Sequence, residues 1–559
     1  MDASRTKLTW SLIAIVGFLT LCPVLMLLLG SFSEGLSTLG SFTLSKYVAA
    51  YTDDNLFAVT VNTLVFVIGS SLLSTVLALV LAYLNTRTNI PCKPVFTVLS
   101  IVPMMIPHLL FSVSWALLLN PSNGLINTIL VSAFNLNEAP FNIYSLWGMV
   151  LVEGLLNMPI AYLILAPAMA SFDTSLEESS RVSGASTWTT LWRVTLPVLR
   201  PAILAGFILS VVRALASYAV PRVLGMPGKV EVLATYLYKI VSTGFTPDYG
   251  KAAALGMSIL GASIGLIVLY RYLTAESGKF VTISGRGYRP APIMLGKART
   301  PIFIGVSLLS LLMIVLPVAI LLYTSFIPYS MVPGPKAFAQ MSLKHWYDVL
   351  QDPLSILALK NSLFLAVVGA TLGIVLSTFV AYVIVKVRTR ASALLDTLSF
   401  LSFSFPGIVI GIGFMWFFVQ TPLYATTTAL LLAYIAAYLP YGIRPLSSAF
   451  VQVHAHLEES SRVAGASGLT TLRRIIVPLL VPGMVSGWIL MATMFIRELT
   501  VSVVLSRPGT EVLAVQILSY ADDGLWGQLS ALGIIMIAIS TGLVLLATWA
   551  GRRFHTVQT

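Results

Sequence analysis

Residues Leu176–Pro201 read LEESSRVSGASTWTTLWRVTLPVLRP, and Leu457–Pro482 read LEESSRVAGASGLTTLRRIIVPLLVP. The offset is 281 residues, and 17 of the 26 positions are identical. Glu177, Glu178, Ser179 and Ser180 place acids and hydroxyls where the positive end of a helix dipole favours them. Ser175 and Glu178 have the S-x-x-E spacing of a capping box, which can open a short helix. In the second copy His454, Ala455 and His456 replace that start, so the cap is not shared. Gly184 and Gly465 disfavour a straight continuous helix and permit a sharp break. Pro197 and Pro201, with Pro478 and Pro482, are expected to stop the segment and start an apolar span. Each copy thus reads as a short helix, a break, a second short helix and a return to the membrane.

The surrounding chain is built for a bilayer. Of 559 residues, 57% are hydrophobic and 10% charged. Ordinary soluble domains carry about 25% charged residues, so this chain could not cover a water-soluble surface. Apolar runs of about 20 residues recur throughout. The candidate helices are Leu8–Gly30, Phe57–Leu84, Pro94–Leu119, Tyr144–Ser171, Pro201–Leu224 and Tyr249–Leu273. The second set is Pro301–Phe326, Ala358–Lys386, Ser392–Val419, Tyr424–Val451, Pro482–Leu505 and Leu525–Ala550. The first run is too long for a signal-peptide core and lacks a small-x-small cleavage site, so it reads as a span.

Net charge is +12. In a soluble protein that would point to nucleic acid. Here the basic residues sit in short loops, among them Arg87 and Lys93, Arg388 and Arg390, and Arg552 and Arg553. That is the positive-inside pattern, with both termini cytoplasmic and no nucleic-acid partner. Cys22 and Cys92 offer neither a disulfide framework nor a metal-ligand spacing.

Weaker echoes extend the repeat. Asn62-Thr63-Leu64 answers Asn361-Ser362-Leu363 and Ala82-Tyr83 answers Ala381-Tyr382, both at offset 299. Glu231-Val-Leu-Ala answers Glu511-Val-Leu-Ala. The chain therefore divides into halves 1–274 and 301–559, joined by a basic, Gly/Pro-containing linker at 275–300. Both halves carry the repeated loop on one side, which makes a parallel repeat about an axis along the membrane normal. The fold class is all-α and polytopic, with about twelve transmembrane helices in two parallel six-helix repeats.

Ionisable residues inside spans are costly and mark a translocation pathway. Glu153, Arg213, Arg497 and Glu498 are the candidates; Arg444 also falls in a span. At offset 281 Glu153 faces Tyr434, Arg213 faces Met494, and Arg497 and Glu498 face Ala216 and Ser217. The halves share architecture but not pore chemistry. The competing reading is an interhelical ion pair that holds helices together. His108, beside Pro107, reads as a satisfied core group, and Pro406 echoes Pro107.

The repeated loop resembles the EAA signature of ABC importer permeases, with Glu177, Gly184 and Pro197, and again Glu458, Gly465 and Pro478, at the signature positions. The usual Ala-Ala after the glutamate is Glu-Ser here. The resemblance covers both halves and implies a type I importer-like fold in the bacterial inner membrane. It makes the loop the coupling helix that seats in an ATPase subunit. The coupling residues would be Glu177, Glu178, Arg181, Gly184, Ala185 and Pro197, then Glu458, Glu459, Arg462, Gly465, Ala466 and Pro478. The implied partners are two copies of an ABC ATPase subunit and a periplasmic or lipid-anchored substrate-binding protein. The chain has no G-x-x-x-x-G-K-[ST], so Mg-ATP would be bound and hydrolysed on the partner, and this chain is expected to hold no cofactor and to be no enzyme. The fused layout resembles the ferric-iron, thiamine and 2-aminoethylphosphonate branch, and Phe495–Ser502 with Arg507–Ala514 resembles the iron(III) members best. Phosphonate, thiamine and polyamine import are the alternatives. An ion-gradient-driven secondary transporter is the rival class, and the duplicated cytoplasmic loop argues against it.

Overall fold

The computed structural model describes residues 3–34, 42–172, 175–242, 247–275 and 293–556. In hydrocarbon every backbone polar group needs an internal partner, and a helix supplies one within its own segment. Among the described residues the chain is helical throughout, apart from loops and one isolated bridge between Thr88 and Ile293.

Among the described residues ten helices are long and apolar enough to cross a membrane. They are Thr6–Ser31, Leu56–Arg87, Leu146–Ala170, Thr187–Leu215, Tyr249–Leu273, Gly296–Phe326, Pro353–Val387, Thr427–Gln452, Arg473–Ile496 and Trp526–Leu546. Each matches one of the twelve expected segments. Numbered by those segments, the third and ninth differ. The third is bent by 100° between Lys93–Met105 and His108–Leu119. The ninth consists of Arg390–Leu401 and Gly407–Phe418, the latter too short to span alone. The breaks fall at Pro107 and Pro406. A proline forces the preceding residue out of the helical region. Ile106 sits at ψ 128° and Phe405 at ψ 121°, and a new helix starts after each ring. The two prolines have nearly the same backbone angles, φ −58° with ψ 134° and 136°.

The fifth and eleventh spans correct another expectation. They begin at Thr187 and Arg473, upstream of the prolines that were expected to stop a helix. A π-turn precedes each proline, at Leu191–Thr195 and Leu472–Ile476. The wider turn relieves the clash between a proline ring and the carbonyl four residues back. The second short helix and the span are therefore one rod. That rod ends early, at Leu215 and Ile496, where the expected spans ran on to Leu224 and Leu505.

The chain packs as two compact units. One comprises Met1–Asp53, Leu237–Leu260 and Ser342–Thr559; the other comprises Asp54–Tyr236 and Gly261–Met341. These units are drawn differently from the sequence halves. The first span packs against the ninth and tenth, and the seventh packs against the third. In the first unit Gly413 lies so close to Pro23 that a Cβ would run into the Pro23 carbonyl. In the second, Ser114 Oγ donates to the Pro317 carbonyl at 2.9 Å. Overpacking a tight contact costs about 1–3 kcal/mol. Gly413→Leu is therefore expected to lower the thermal unfolding midpoint of purified protein by several degrees; an unchanged midpoint would show that the first span is not held there.

The weaker sequence echoes also find a structural reason. Asn62 Nδ2 donates to the Glu231 carbonyl at 3.3 Å, and Asn361 Nδ2 to the Glu511 carbonyl at 2.9 Å. The Leu233 N–H donates to Thr63 Oγ1 at 2.9 Å, and the Leu513 N–H to Ser362 Oγ at 2.8 Å. The second and eighth spans thus hold the Glu-Val-Leu-Ala segments with the residues that repeat.

Candidate functional site

The first repeated loop opens with helix Ser175–Val182. Gly184 ends it at φ +85°. Its N–H donates to the Arg181 carbonyl at 2.9 Å, and the Ala185 N–H donates to the Ser180 carbonyl at 3.1 Å. That pair of bonds is a Schellman cap. Ser186 then starts the fifth span, its Oγ accepting from the Thr189 N–H at 3.1 Å. The Ser180 and Thr190 hydroxyls, 3.0 Å apart, tie the two helices at the corner.

The second loop repeats this chemistry. Helix Ala455–Val463 ends before Gly465 at φ +81°, and the Ala466 N–H donates to the Ser461 carbonyl at 3.0 Å. Ser467 accepts from the Thr470 N–H at 3.2 Å, and Ser461 meets Thr471 at 2.7 Å. The residues identical in both copies are largely those that build the corner. The Ser175–Glu178 spacing falls in the first turn of helix Ser175–Val182. The two residues before it lie outside the described residues. The side chains of Glu458 and Arg462 also lie outside them.

Glu177 faces inward, with 4% of its surface exposed. Thr195 Oγ1 donates to its Oε1 at 2.8 Å, and the Arg87 guanidinium approaches the same oxygen at 3.5 Å. Arg87 ends the second span and lies 5.0 Å above the Phe172 ring. Arg181 is exposed, with Nε 3.4 Å from the Glu177 carbonyl. Glu178 is half-buried, while Glu459 is exposed and meets His456 Nδ1 at 3.2 Å. The loops present apolar side chains to the outside. Val182 is 89% exposed and Val463 is 90% exposed, at equivalent places.

The intramembrane glutamates are buried, Glu153 at 1% exposure and Glu498 at 4%. Glu153 accepts from Asn157 Nδ2 at 2.9 Å and from Ser217 Oγ at 2.7 Å, and it lies within electrostatic range of Arg213. Glu498 accepts from the Tyr438 hydroxyl and from the Val501 N–H, the latter at 2.6 Å. Neighbouring Arg497 directs Nη2 at Met494 Sδ, 3.0 Å away. Arg444 pairs with Asp396 at 3.7 Å and lies over Phe400. Among the described residues no three His, Cys, Asp or Glu side chains cluster as a metal site.

The family described as binding-protein-dependent transport system inner membrane component matches residues 74–279 and 373–556. The chain belongs to that family. Both repeated loops of the permease fall inside the matched ranges, one in each. The ferric transport system permease protein FbpB of Actinobacillus pleuropneumoniae is 26% identical over 547 residues, covering 96% of this chain and 77% of that one. A putative ferric transport system permease protein, FbpB 1 of Haemophilus influenzae, is 27% identical, covering 88% and 75%. The spermidine/putrescine transport system permease protein PotC of Haemophilus influenzae is 30% identical over 210 residues, 37% of this chain and 82% of that one. The permease is thus a multi-pass inner-membrane component of a binding-protein-dependent ABC importer.

Several residues of the permease were not singled out as site residues in the sequence. Arg87 and Thr195 hold Glu177 from outside the loop's acidic turn. Lys386, at offset 299 from Arg87, donates to the Val453 carbonyl at 2.6 Å, just before helix Ala455–Val463. The shared offset of the Ala-Tyr echo was the available signal for this pair of cations. Asn157 and Ser217 beside Glu153 had none.

Proposed function

We propose that the permease forms the channel of a ferric-iron importer and is driven by two copies of a separate ATPase subunit that docks on the two coupling loops. The observation that carries the docking is the pair of exposed valines, Val182 and Val463, on helices ended by the same cap. A partner seated on both loops would account for an apolar side chain left almost fully exposed at the equivalent place in each. Glu178, Arg181 and Glu459 would rim that surface, while Glu177 with Pro197 would fix the first helix beneath it. Mg-ATP would sit wholly on the partner, and both termini of the permease would face the cytoplasm. A periplasmic or lipid-anchored binding protein would deliver the cargo.

The ferric reading is supported by the two long relatives, which are ferric transport permeases by name. Reconstitution with the cognate ATPase and binding protein tests it. Radiolabelled ferric uptake should require ATP and resist excess thiamine, 2-aminoethylphosphonate and spermidine. Competition by one of these would reassign the cargo and leave the importer role standing. Uptake on an ion gradient with no ATPase present would overturn that role. Glu153, Arg213, Arg497 and Glu498 belong, on this reading, to the helices that move during transport.

A further inference from the structure

Each half of the permease buries one carboxylate beside the point where its rod-like fifth or eleventh span ends, yet the carboxylate stands on different helices. In the first half Glu153 belongs to the fourth span, and its partner Ser217 lies in the interruption after Leu215. In the second half Glu498 lies in the interruption after Ile496, and its partner Tyr438 belongs to the tenth span. The offset of 281 residues relates Glu153 to Tyr434, Asn157 to Tyr438 and Ser217 to Glu498. Donor and acceptor have exchanged sides. The arginines have shifted as well, from position 213 to the equivalent of 216, one helical turn along the rod.

A buried carboxylate is costly unless hydrogen bonds satisfy it. Paying that cost in both halves, from non-equivalent positions, indicates that the bond itself is required. Both oxygens of each carboxylate already accept from the permease's own donors. At 1% and 4% exposure neither carboxylate opens onto solvent. In the second half the carboxylate also takes up the Val501 N–H, which the interruption leaves without a helical partner. Tyr434 reinforces it with a hydroxyl contact to Ser502.

We propose that Glu153 and Glu498 are positioning residues, which pin the interruption of the rod to the preceding span and do not coordinate cargo. The rod Thr187–Leu215 runs from the coupling corner to this pin. Its length, roughly 40 Å at 1.5 Å per residue, lets a push on the loop arrive at the pinned end. The fourth and fifth spans then move together, and likewise the tenth and eleventh. This inference rests on the importer reading for its purpose, though not for its geometry.

Hydrogen–deuterium exchange on the inserted permease tests the pin without transport. Glu153→Ala should speed amide exchange at residues 216–220 at least tenfold, and Glu498→Ala should do so at 497–501. Each should cut ATP-dependent uptake at least tenfold. The exchanged pairs Glu153→Ser with Ser217→Glu, and Glu498→Ser with Tyr434→Glu, should restore slow exchange and bring uptake to within about fivefold of the parent. If an alanine variant does not insert, the exchanged pair alone decides. Slow exchange in the alanine variants overturns the pin. So does an exchanged pair that inserts yet takes up no more than its single serine variant, because the charge is then needed at its original atom. Failure of the importer reading shows separately, as a parent protein with no ATP-dependent uptake and the same exchange pattern.

Discussion

Permease carrying Gly184→Val together with Gly465→Val is expected to insert normally and to lose more than nine-tenths of its uptake. Both glycines sit in the left-handed region, at φ +85° and +81°. That region costs an L-residue about 1–2 kcal/mol, and a β-branched side chain fares worse. Space is not the obstacle, since nothing lies within 4 Å of a Cβ at either site. The strain falls on the cap bonds that turn the chain from the short helix of each repeated loop into the rod. At 1.4 kcal/mol per tenfold, each substitution shifts the equilibrium of its own corner by roughly five- to thirtyfold. Copurification with the ATPase should fall in parallel, while the spans keep their helical circular dichroism. Gly184→Asn with Gly465→Asn is the control, because asparagine visits this region readily. Undiminished ATPase capture by the valine pair would end the docking argument.

The largest stability effect is expected beneath the first loop. Arg87→Ala leaves Glu177 buried without its cation. Breaking a buried ion pair in this way typically costs about 3–5 kcal/mol. Its worth here sits toward the low end, because the guanidinium is 3.5 Å from the carboxylate and Thr195 supplies the closer bond. The thermal unfolding midpoint of purified Arg87→Ala should fall by several degrees. Arg87→Met with Glu177→Met removes both charges and should recover most of the loss. A double variant no better than the single one would assign the cost to lost packing against Phe172.

The repeated loop was legible in the sequence because its geometry is made by local bonds. Ser180, Gly184, Ser186, Thr189 and Thr190 lie within eleven residues of one another and recur at one offset. The fused, two-half, polytopic architecture was legible for a similar reason, since hydropathy and repeats are both properties of the chain alone. The π-turns were not. Pro197 and Pro478 carry the usual stop signal, and a shift from four to five residues in hydrogen-bond register has no composition of its own. The breaks at Pro107 and Pro406 were marked by an echo, but apolar character runs across them without a change. The Arg87–Glu177 pair spans 90 positions, a separation at which one sequence offers no pairing information. The hydrogen-bond partners of the buried carboxylates were not legible either. Comparison at a fixed offset set Glu153 against Tyr434 and Ser217 against Glu498, which looked like unrelated chemistry until the fourth span and the end of the fifth were seen side by side.

The packing of Thr6–Ser31 against Gly407–Phe418 and Thr427–Gln452 has a consequence for biosynthesis. A ribosome releases this helix about four hundred residues before its neighbours exist. At 5–20 residues per second that is a wait of roughly 20–80 s. During it the close-fitting strip around Pro23 faces lipid or a passing insertion factor. Cutting the gene between the halves would leave this helix on the wrong product, to be matched only by chance encounter in the membrane. Holding everything on one polypeptide replaces that encounter with a tether, and gives fusion of the halves a purpose in assembly.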